Sequence, residues 1–286
     1  MAKTRRLLSE NLKLVDVVIE LLDARIPSSS KNPEIDTIVK NKPRLVVLNK
    51  SDLADTAILK EWENWYKKAG TPVIFADSLK GTGLAQLKAS LKTLVADKIE
   101  RDRQKGRLFR PIRTMIVGIP NVGKSTFINK IAGKSVAAAG DKPGVTKGKQ
   151  WIRLNPEIEM LDTPGILWPK FDDQVTALNL AFTGAIKDDI IDVEEVAAKL
   201  AEKLAELYPA QFTQRYKLGD IIGLTGHQLL EAIGKKRGFI LSGGDIDIRR
   251  ASIILLDEFR GGKIGRITLE KPVMTEETSE ELNGAK

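Results

Sequence analysis

The sequence predicts an α/β domain, with a mostly parallel sheet covered by helices on both faces, followed by an all-α domain. Short apolar segments alternate with amphipathic segments as far as residue 170, and the later segments have helical periodicity only. Parallel strands buried on both faces give continuous apolar runs of this kind. We expect domains at 1–171 and 172–270, and an acidic, disordered tail at 271–286.

Five segments of the first domain have the composition of buried strands, being rich in aliphatic and β-branched residues. They lie at 15–24, 44–50, 71–76, 113–119 and 157–163. Between and after them, apolar residues recur at spacings of three and four, which predicts helices. These helices lie at 32–41, 58–70, 84–104 and 125–133, and, in the second domain, at 192–209, 227–234 and 247–262.

Composition excludes several classes of protein. The 286 residues are 42% hydrophobic, enough to form the cores of two domains, but no apolar run approaches the eighteen or so residues of a membrane span. The N-terminal segment MAKTRRLLSENLK has no apolar core typical of a secretory signal. Because there is no cysteine, disulfides and thiolate chemistry are excluded. We expect a soluble cytoplasmic protein with no membrane partner.

The net charge of +8 is unevenly distributed. Residues 172–286 contain 15 basic and 20 acidic side chains, a balance of −5, so residues 1–171 carry the remaining +13. Two basic clusters stand out, at 98–113 and at 234–266. Such clusters suit a phosphate backbone, although a solvated helix face gives the same pattern.

A phosphate-binding loop is predicted at 118–125, GIPNVGKS, which matches G-x-x-x-x-G-K-S between a strand and a helix. Glycines let the backbone amides turn toward phosphate oxygens, and the helix N-terminus adds its partial positive charge. In such a loop Lys124 contacts the β- and γ-phosphates, and Ser125 is a ligand of Mg²⁺.

Two further motifs complete the predicted nucleotide site, and the first of them favours guanine as the base. Residues 49–52, NKSD, follow a predicted strand, and the carboxylate of Asp52 suits the two adjacent N–H donors of guanine. Adenine has an acceptor at the ring position, which argues against an ATP-using enzyme. Residues 162–165, DTPG, follow another strand, where Asp162 can hold Mg²⁺ through water and Gly165 can sense the γ-phosphate.

Read together, NKSD, SLKG, GIPNVGKS, PGVT and DTPG form the full set of GTPase motifs in circularly permuted order. Within that class, nearly the whole chain resembles the ribosome biogenesis GTPase A family (RbgA, or YlqF). The motifs that carry this resemblance are DARIP, NPEI, NKPR, GIPNVGKST, DTPGILWPKF and TGAIKD. Permutation preserves the site because each motif lies at the carboxyl end of a strand. It also connects DTPG directly to the helical domain, which suggests that a γ-phosphate-dependent movement of DTPG shifts the attachment of that domain.

The resemblance implies a monomeric GTPase that acts late in maturation of the large ribosomal subunit, binds GTP or GDP and rRNA, and leaves on hydrolysis. A slow intrinsic rate that the ribosome stimulates is expected. The alternative is an RNA-docking placeholder in which GTP is mainly a structural ligand. For RNA binding the candidates are Lys235, Lys236, Arg237, Arg249 and Arg250.

The resemblance also implies a role for each site residue. Lys124, Thr146 and Asn121 are the catalytic candidates, and Asn121 matches an asparagine that holds an activating K⁺ in related GTPases. The Mg²⁺ candidates are Ser125, Thr146 and Asp162. The GTP-binding candidates are Asn49, Lys50, Asp52, Ser78, Asn121, Val122, Gly123, Lys124, Ser125, Thr126 and Gly165.

One catalytic group is not evident in the sequence. Ile166 follows DTPG where Ras-like GTPases have a glutamine that orients water. In the family, the role of orienting water is attributed to a histidine just upstream of the MAKTRR segment with which this chain begins. For His227, the only histidine, we expect a helix-start or surface role and not a catalytic one. Two alternatives follow. We expect that the sequence is an N-terminally shortened version, in which case restoring the missing upstream segment should raise the rate of GTP hydrolysis. The other alternative is that the chain as given hydrolyses GTP slowly by itself.

Overall fold

A six-stranded sheet in the order β3-β2-β1-β4-β6-β5 forms the centre of the first domain in a computed structural model of the chain. The structure describes residues 2–39, 42–106, 110–133, 151–161 and 173–273, except for the side chains of residues 2–5 and 7. All neighbouring strands are parallel except β5 and β6. The strands are β1 Val17–Asp23, β2 Arg44–Asn49, β3 Val73–Ala76, β4 Ile112–Val117, β5 Trp151–Asn155 and β6 Ile158–Leu161.

The central strands form because most of their residues on both faces are apolar. All seven residues of β1 are buried, as are five of the six in both β2 and β4. Helices cover both faces of such a sheet and bury a second set of aliphatic side chains. The helices of this domain are α1 Ala2–Leu12, α2 Pro33–Ile38, α3 Thr56–Lys68, α4 Ala85–Leu94, α5 Ala96–Gln104 and α6 Lys124–Ala132.

The five predicted strands are all present, but several elements differ from the prediction, among them the helices Ala2–Leu12, Gln174–Phe182 and Pro209–Tyr216, which were not predicted. The edge strand β5 was not predicted because it is not a continuous apolar run: buried Ile152 and Leu154 alternate with exposed Arg153, as in a half-buried strand. The helix predicted at 84–104 is interrupted at Val95, whose φ of −115° and ψ of 13° end α4 before α5 begins. None of the residues of α5, all of which the structure describes, is buried, so the charged side chains of this helix lie on the surface.

Five α-helices and one short 3₁₀ helix follow in the described residues after 172. Helix α8 lies at the centre and packs against α7, α10 and α11. Aspartate or threonine side chains cap the starts of α7, α8, α10 and α11. The helices are α7 Gln174–Phe182, α8 Val193–Leu207, α9 Pro209–Tyr216, α10 Gly226–Arg237 and α11 Ile248–Arg260. In the described parts of the chain, no helix has both the length and the apolar character that crossing a membrane requires.

After α11 the chain returns to the first domain as an extended strap, residues 264–270. Ile267 N donates to Leu53 O at 2.9 Å, directly after the NKSD motif, and Leu269 N donates to Arg25 O at 2.8 Å. The Trp62 indole donates to Glu270 O at 3.0 Å. The strap therefore connects the end of the helical region to the loops that follow β1 and β2. From residue 274 onward, the predicted tail lies outside the described residues.

Candidate functional site

The loop between β4 and α6 has the backbone of a phosphate-binding loop. Asn121 and Gly123 adopt left-handed conformations, with φ of 56° and 97°. Successive turns of this kind direct amide groups toward a common point, where an anion binds. The Lys124 ammonium lies inside the curve and donates to Gly118 O at 3.2 Å and Ile119 O at 3.1 Å. Phosphate oxygens can replace these carbonyls as stronger, charged acceptors.

The two glycines of this loop lie against neighbouring elements. A Cβ atom at Gly118 would lie 2.6 Å from Leu21 O of β1, and one at Gly123 would lie 2.6 Å from Asn49 Nδ2. Both distances are well below van der Waals contact, so a larger residue at either position requires the neighbour to move. The loop therefore depends on glycine for packing as well as for its backbone angles.

Asn49, at the end of β2, joins three loops at the carboxyl edge of the sheet. Its side chain is buried, and Nδ2 donates to Val122 O in the phosphate loop at 2.7 Å. Its Oδ1 accepts from Ser78 N at 3.2 Å and Ser78 Oγ at 2.6 Å. The sequence-predicted residues Asn49, Ser78 and Val122 are thus brought together, and Asn49 holds the guanine loop against the phosphate loop.

Lys50 makes a second connection between the same loops. It has a left-handed φ of 58°, which is uncommon for a residue with a Cβ. Its ammonium donates to Asn121 O at 2.7 Å and to Asp23 Oδ2 at 3.0 Å. Burial lowers the pKa of Lys50, and the Asp23 carboxylate opposes that effect. The lysine of NKSD therefore spans from the phosphate loop to the end of β1.

Asp52, the predicted guanine-reading residue, lies in the turn that follows β2. It is half-buried in a turn that is closed by Ser51 N donating to Ala76 O at 3.1 Å and Leu53 N donating to Lys50 O at 3.0 Å. Within the described part of the chain, its carboxylate has neither a hydrogen bond nor an ion pair. Both oxygens are therefore available to the two N–H donors of guanine.

Asp77 is a site residue that the sequence analysis did not single out. It follows β3 directly, is 3% exposed, and accepts from Leu79 N at 2.9 Å and Lys80 N at 3.0 Å. These bonds shape the SLKG loop in which Ser78 supports Asn49. An aspartate two residues before an exposed turn residue, directly after a strand, is the signal that would have identified it.

Asp23 and Arg25 of the DARIP motif form a buried ion pair beside Lys50. Each is 1% exposed, and two parallel hydrogen bonds connect Arg25 Nε and Nη2 to the Asp23 carboxylate at 2.9 and 2.8 Å. Burial would raise the pKa of Asp23, but the charges of Arg25 and Lys50 outweigh it and hold this pKa well below the ordinary range. Because Arg25 is buried, it offers no surface to RNA.

Three predicted site residues, Thr146, Asp162 and Gly165, lie outside the described residues, as does Ile166. GTPases of this class use Mg²⁺. Ser125, half-buried in the first turn of α6 next to Lys124, supplies the hydroxyl oxygen that this hard cation prefers. The described part of the loop therefore fits the ion, and the other two candidate ligands belong to segments that are not described. Thr126 occupies the same helical turn.

The predicted RNA-binding residues differ in how far their charges are already paired. Arg237 donates to Glu258 Oε1 at 3.2 Å and lies 5.4 Å from the Tyr216 ring centroid, so its guanidinium has partners within the fold. Arg250 lies 4.5 Å from the centroid of Phe239. Lys235 pairs with Glu231 at 2.6 Å across one helical turn. Lys236 and Arg249 are exposed.

The other basic cluster, at 98–113, is partly neutralised by a single carboxylate. Lys98 and Arg110 both pair with Asp16, and Arg113 N also donates to it at 3.0 Å. Burial would raise the pKa of Asp16, but these donors lower it. Among the other described charges of this cluster, Arg101 and Arg103 lie on the exposed helix α5, whereas Arg113 lies on β4 with its Nε 3.7 Å from Glu159 Oε2.

His227 lies in the first turn of α10, directly after the capping residue Thr225 and Gly226. Its Nε2 is 3.9 Å from Glu195 Oε2, and its side chain is exposed. The structure thus places this histidine at a helix start in the helical region, as the sequence predicts.

These loops, on this sheet, define a P-loop GTPase in which the guanine-reading loop precedes the phosphate loop. A family model described as a 50S ribosome-binding GTPase matches residues 113–218, so the match begins at β4 and leaves NKSD outside it. The GDP-bound structure of TM YlqF has a TM-score of 0.70 and 30% identity, covering 93% of this chain and 99% of its own. The GNP-bound YlqF from T. maritima has a TM-score of 0.66 and 29% identity, covering 96% and 100%.

Curated relatives identify the family. Ribosome biogenesis GTPase A of Bacillus cereus is 50% identical over 95% of this chain and 92% of its own length. The protein of the same name from Bacillus licheniformis is 47% identical over 95% and 96%, and that from Thermotoga maritima is 33% identical over 94% and 91%. The chain belongs to the ribosome biogenesis GTPase A family. The predicted resemblance, the permuted α/β GTPase fold with a helical C-terminal region, and the GTPase class are confirmed.

Proposed function

We propose that this GTPase is an assembly factor for late maturation of the large ribosomal subunit, which binds rRNA on the pre-ribosomal particle and leaves when GTP is hydrolysed. The main support is that Asn49 and Lys50 join the guanine loop to the phosphate loop, at 2.7 Å in each case, beside a helical region with exposed basic residues. The names of the relatives and of the family model are consistent with a ribosomal partner.

The proposal also covers the domain boundaries, the oligomeric state and the partners of the protein. We assign the GTPase domain to residues 1–171 and the RNA-binding domain to 172–270, noting that the strap at 264–270 returns to the GTPase domain. The protein acts as a cytoplasmic monomer with GTP, GDP and the large subunit as its partners. K⁺ would be the activating monovalent ion, and Asn121 would help to hold it.

In the proposed reaction, water attacks the γ-phosphorus while the bond to the β–γ bridging oxygen breaks, and GDP departs with that electron pair. The proton of the attacking water passes to solvent or to the released phosphate. Lys124 stabilises the charge on the transferring group, and the backbone of 122–126 holds the phosphates. Mg²⁺, held by Ser125 and Thr146 and through water by Asp162, would neutralise phosphate charge. We assign to Gly165 the role of sensing the γ-phosphate.

Base recognition is assigned to the loops after β2 and β3. Asp52 accepts from guanine, while Asn49 and Lys50 fix the loop that presents it. Ser78 supports Asn49 through two hydrogen bonds. Because a polar site of this kind leaves unpaired groups when the wrong base enters, it discriminates by several kcal/mol, equivalent to roughly 10³-fold or more in affinity.

Turnover on the ribosome tests the enzymatic part of the proposal. We expect purified large ribosomal subunits to raise steady-state GTP hydrolysis at least roughly tenfold, which is about 1.4 kcal/mol in barrier height. Replacing K⁺ by Na⁺ at constant ionic strength should lower the rate. The measurement is phosphate release in the four combinations of salt and subunits, with Lys124→Ala as the inactive control.

Each part of that experiment has a contradicting result. A slow rate that subunits do not change, despite retained GTP binding, would favour the RNA-docking placeholder, in which GTP is mainly structural. Equal rates in Na⁺ and K⁺ would remove the monovalent ion from the mechanism. A failure to bind GTP at all would contradict both functions.

Exposed basic residues of the helical region should carry RNA affinity. We expect Lys236→Ala together with Arg249→Ala to weaken binding to the large subunit and to reduce the slope of log affinity against log salt by about one per lost phosphate contact. The measurement is the affinity for large subunits across a range of KCl concentrations.

Arg237→Met is the matched control for that experiment. Since Glu258 and Tyr216 already hold the Arg237 guanidinium, this change should lower the free energy of unfolding and leave the salt slope nearly unchanged. An unaltered slope in the Lys236 and Arg249 variant would show that these side chains are solvated and do not contact phosphate.

A further inference from the structure

The buried Asp23 carboxylate is a junction between the nucleotide site and the helical region. Its Oδ1 accepts from Arg25 N at 3.0 Å and Arg25 Nε at 2.9 Å. Its Oδ2 accepts from Arg25 Nη2 at 2.8 Å and Lys50 Nζ at 3.0 Å. One side of the carboxylate therefore faces the lysine of NKSD, and both oxygens are held in the planar fork of a single arginine.

Arg25 carries this junction to the end of α11. Its Nη1 donates to Phe259 O at 3.3 Å and Arg260 O at 3.4 Å, and its guanidinium lies 5.2 Å from the Phe259 ring centroid. The last carbonyls of a helix have no partner within the helix and carry partial negative charge, so a buried cation there is favourable. The positive charge of Arg25 thus compensates the negative charge of Asp23 on one side and the partial negative charge at the C-terminal end of α11 on the other.

A second connection reaches the same place from the phosphate loop. Asn121 Nδ2 donates to Gly184 O at 2.6 Å, in the turn after α7. The Arg260 guanidinium, which follows Phe259 at the end of α11, donates to Ala181 O at 2.9 Å and Phe182 O at 3.1 Å. Both connections therefore converge where the end of α11 packs on the end of α7.

We propose that Asp23 and Arg25 are positioning residues that couple guanine-nucleotide occupancy, through Lys50, to the docking of the C-terminal end of α11. This inference rests on the proposed function only in assuming that the site binds GTP or GDP. A bound nucleotide that fixes the position of Lys50 also fixes the Asp23 carboxylate, which accepts from Lys50 Nζ. The Asp23 carboxylate in turn holds the Arg25 guanidinium in place against the carbonyls of Phe259 and Arg260. Because coupling free energies are reciprocal, a partner bound to the helical region would change nucleotide affinity by the same factor.

Amide hydrogen exchange with and without GDP measures this coupling directly. In the unmodified protein, we expect GDP to slow exchange at the end of α11 and in the turn at 181–185 by roughly tenfold, since these amides open locally. Arg25→Met retains the packing on Phe259 and leaves Asp23 paired with Lys50. It should therefore bind GDP with an affinity within about threefold of the original and lose most of the GDP-dependent slowing at α11.

Two further variants make the comparison specific. Arg215→Met removes another arginine that is paired with α11, through Glu258. Among the described residues Arg215 has no hydrogen bond or ion pair with the nucleotide loops, so this variant should retain the full effect of GDP. If Arg25→Met does not fold, Arg25→Lys keeps the charge without the planar fork and should reduce the slowing at least roughly threefold.

The outcomes separate this inference from the proposed function. GDP binding, measured by the fluorescence of a labelled GDP, with no change in α11 exchange would overturn the coupling and leave the GTPase proposal intact. Unchanged slowing in Arg25→Met, or in Arg25→Lys if that variant is used, would also overturn it. A failure of the unmodified protein to bind GDP would contradict the proposed function itself.

Discussion

Replacing Gly123 by alanine should reduce the affinity for GTP and GDP by on the order of 100-fold, about 2.7 kcal/mol. The new Cβ would lie 2.6 Å from Asn49 Nδ2, and the residue would have to keep a φ of 97°. Relief of this clash moves either the phosphate loop or Asn49, whose amide also fixes Ser78. One methyl group therefore disturbs the phosphate site and the guanine site together. Titration of fluorescent GDP measures the loss.

Gly133→Ala is the matched control, because it pays a similar backbone cost without a steric conflict. Gly133 ends the same helix with a φ of 66°, and a Cβ there meets no heavy atom of the described residues within 4 Å. Each alanine in a left-handed conformation costs roughly 1–2 kcal/mol of stability. We expect only Gly123→Ala to lose nucleotide affinity. An equal, small effect in both variants would show that the loop accommodates the methyl group.

Much of the site could be predicted because its loops follow strands with strong signals. The runs that become β1, β2 and β4 are mainly apolar, and polar motifs start where they end. Since parallel strands bring their carboxyl ends to one edge, NKSD, SLKG and GIPNVGKS had to meet there. The structure brings Asn49, Ser78 and Val122 into direct contact.

Features that depend on contacts distant in sequence could not be predicted. Nothing near Arg25 indicates that its partners are the carbonyls of Phe259 and Arg260, more than 230 residues away. Glu20 is similar: it interrupts an apolar strand, is 1% exposed and lies 3.2 Å from Arg44 Nη1 on the neighbouring strand. Burial raises the pKa of Glu20, and Arg44 opposes that effect. The local sequence pattern shows only that a charged residue inside an apolar strand, such as Glu20, or directly after it, such as Arg25, is unusual.

Asp52→Asn should reverse the base preference of the site. Guanine offers a ring N–H and an exocyclic amine, and a carboxylate accepts from both. An asparagine amide offers one acceptor and directs its NH₂ group at the amine, leaving donors opposed. Xanthine has a carbonyl in place of that amine and can accept from the new donor. We expect GDP affinity to fall on the order of 100-fold, about 2.7 kcal/mol, and that for xanthosine diphosphate to rise.

Asp55→Asn controls for the loss of a negative charge near the same loop. Asp55 lies three residues further on and caps α3 by accepting from Ala57 N at 2.8 Å, a role that asparagine fills equally well. Competition titrations with both diphosphates should therefore show an unchanged guanine preference in this variant. If Asp52→Asn also keeps its preference, the base is read by some other group and Asp52 belongs to the turn alone. A reversed preference would place the carboxylate of Asp52 against the base and fix the orientation of the nucleotide across the loops that Asn49 and Lys50 join.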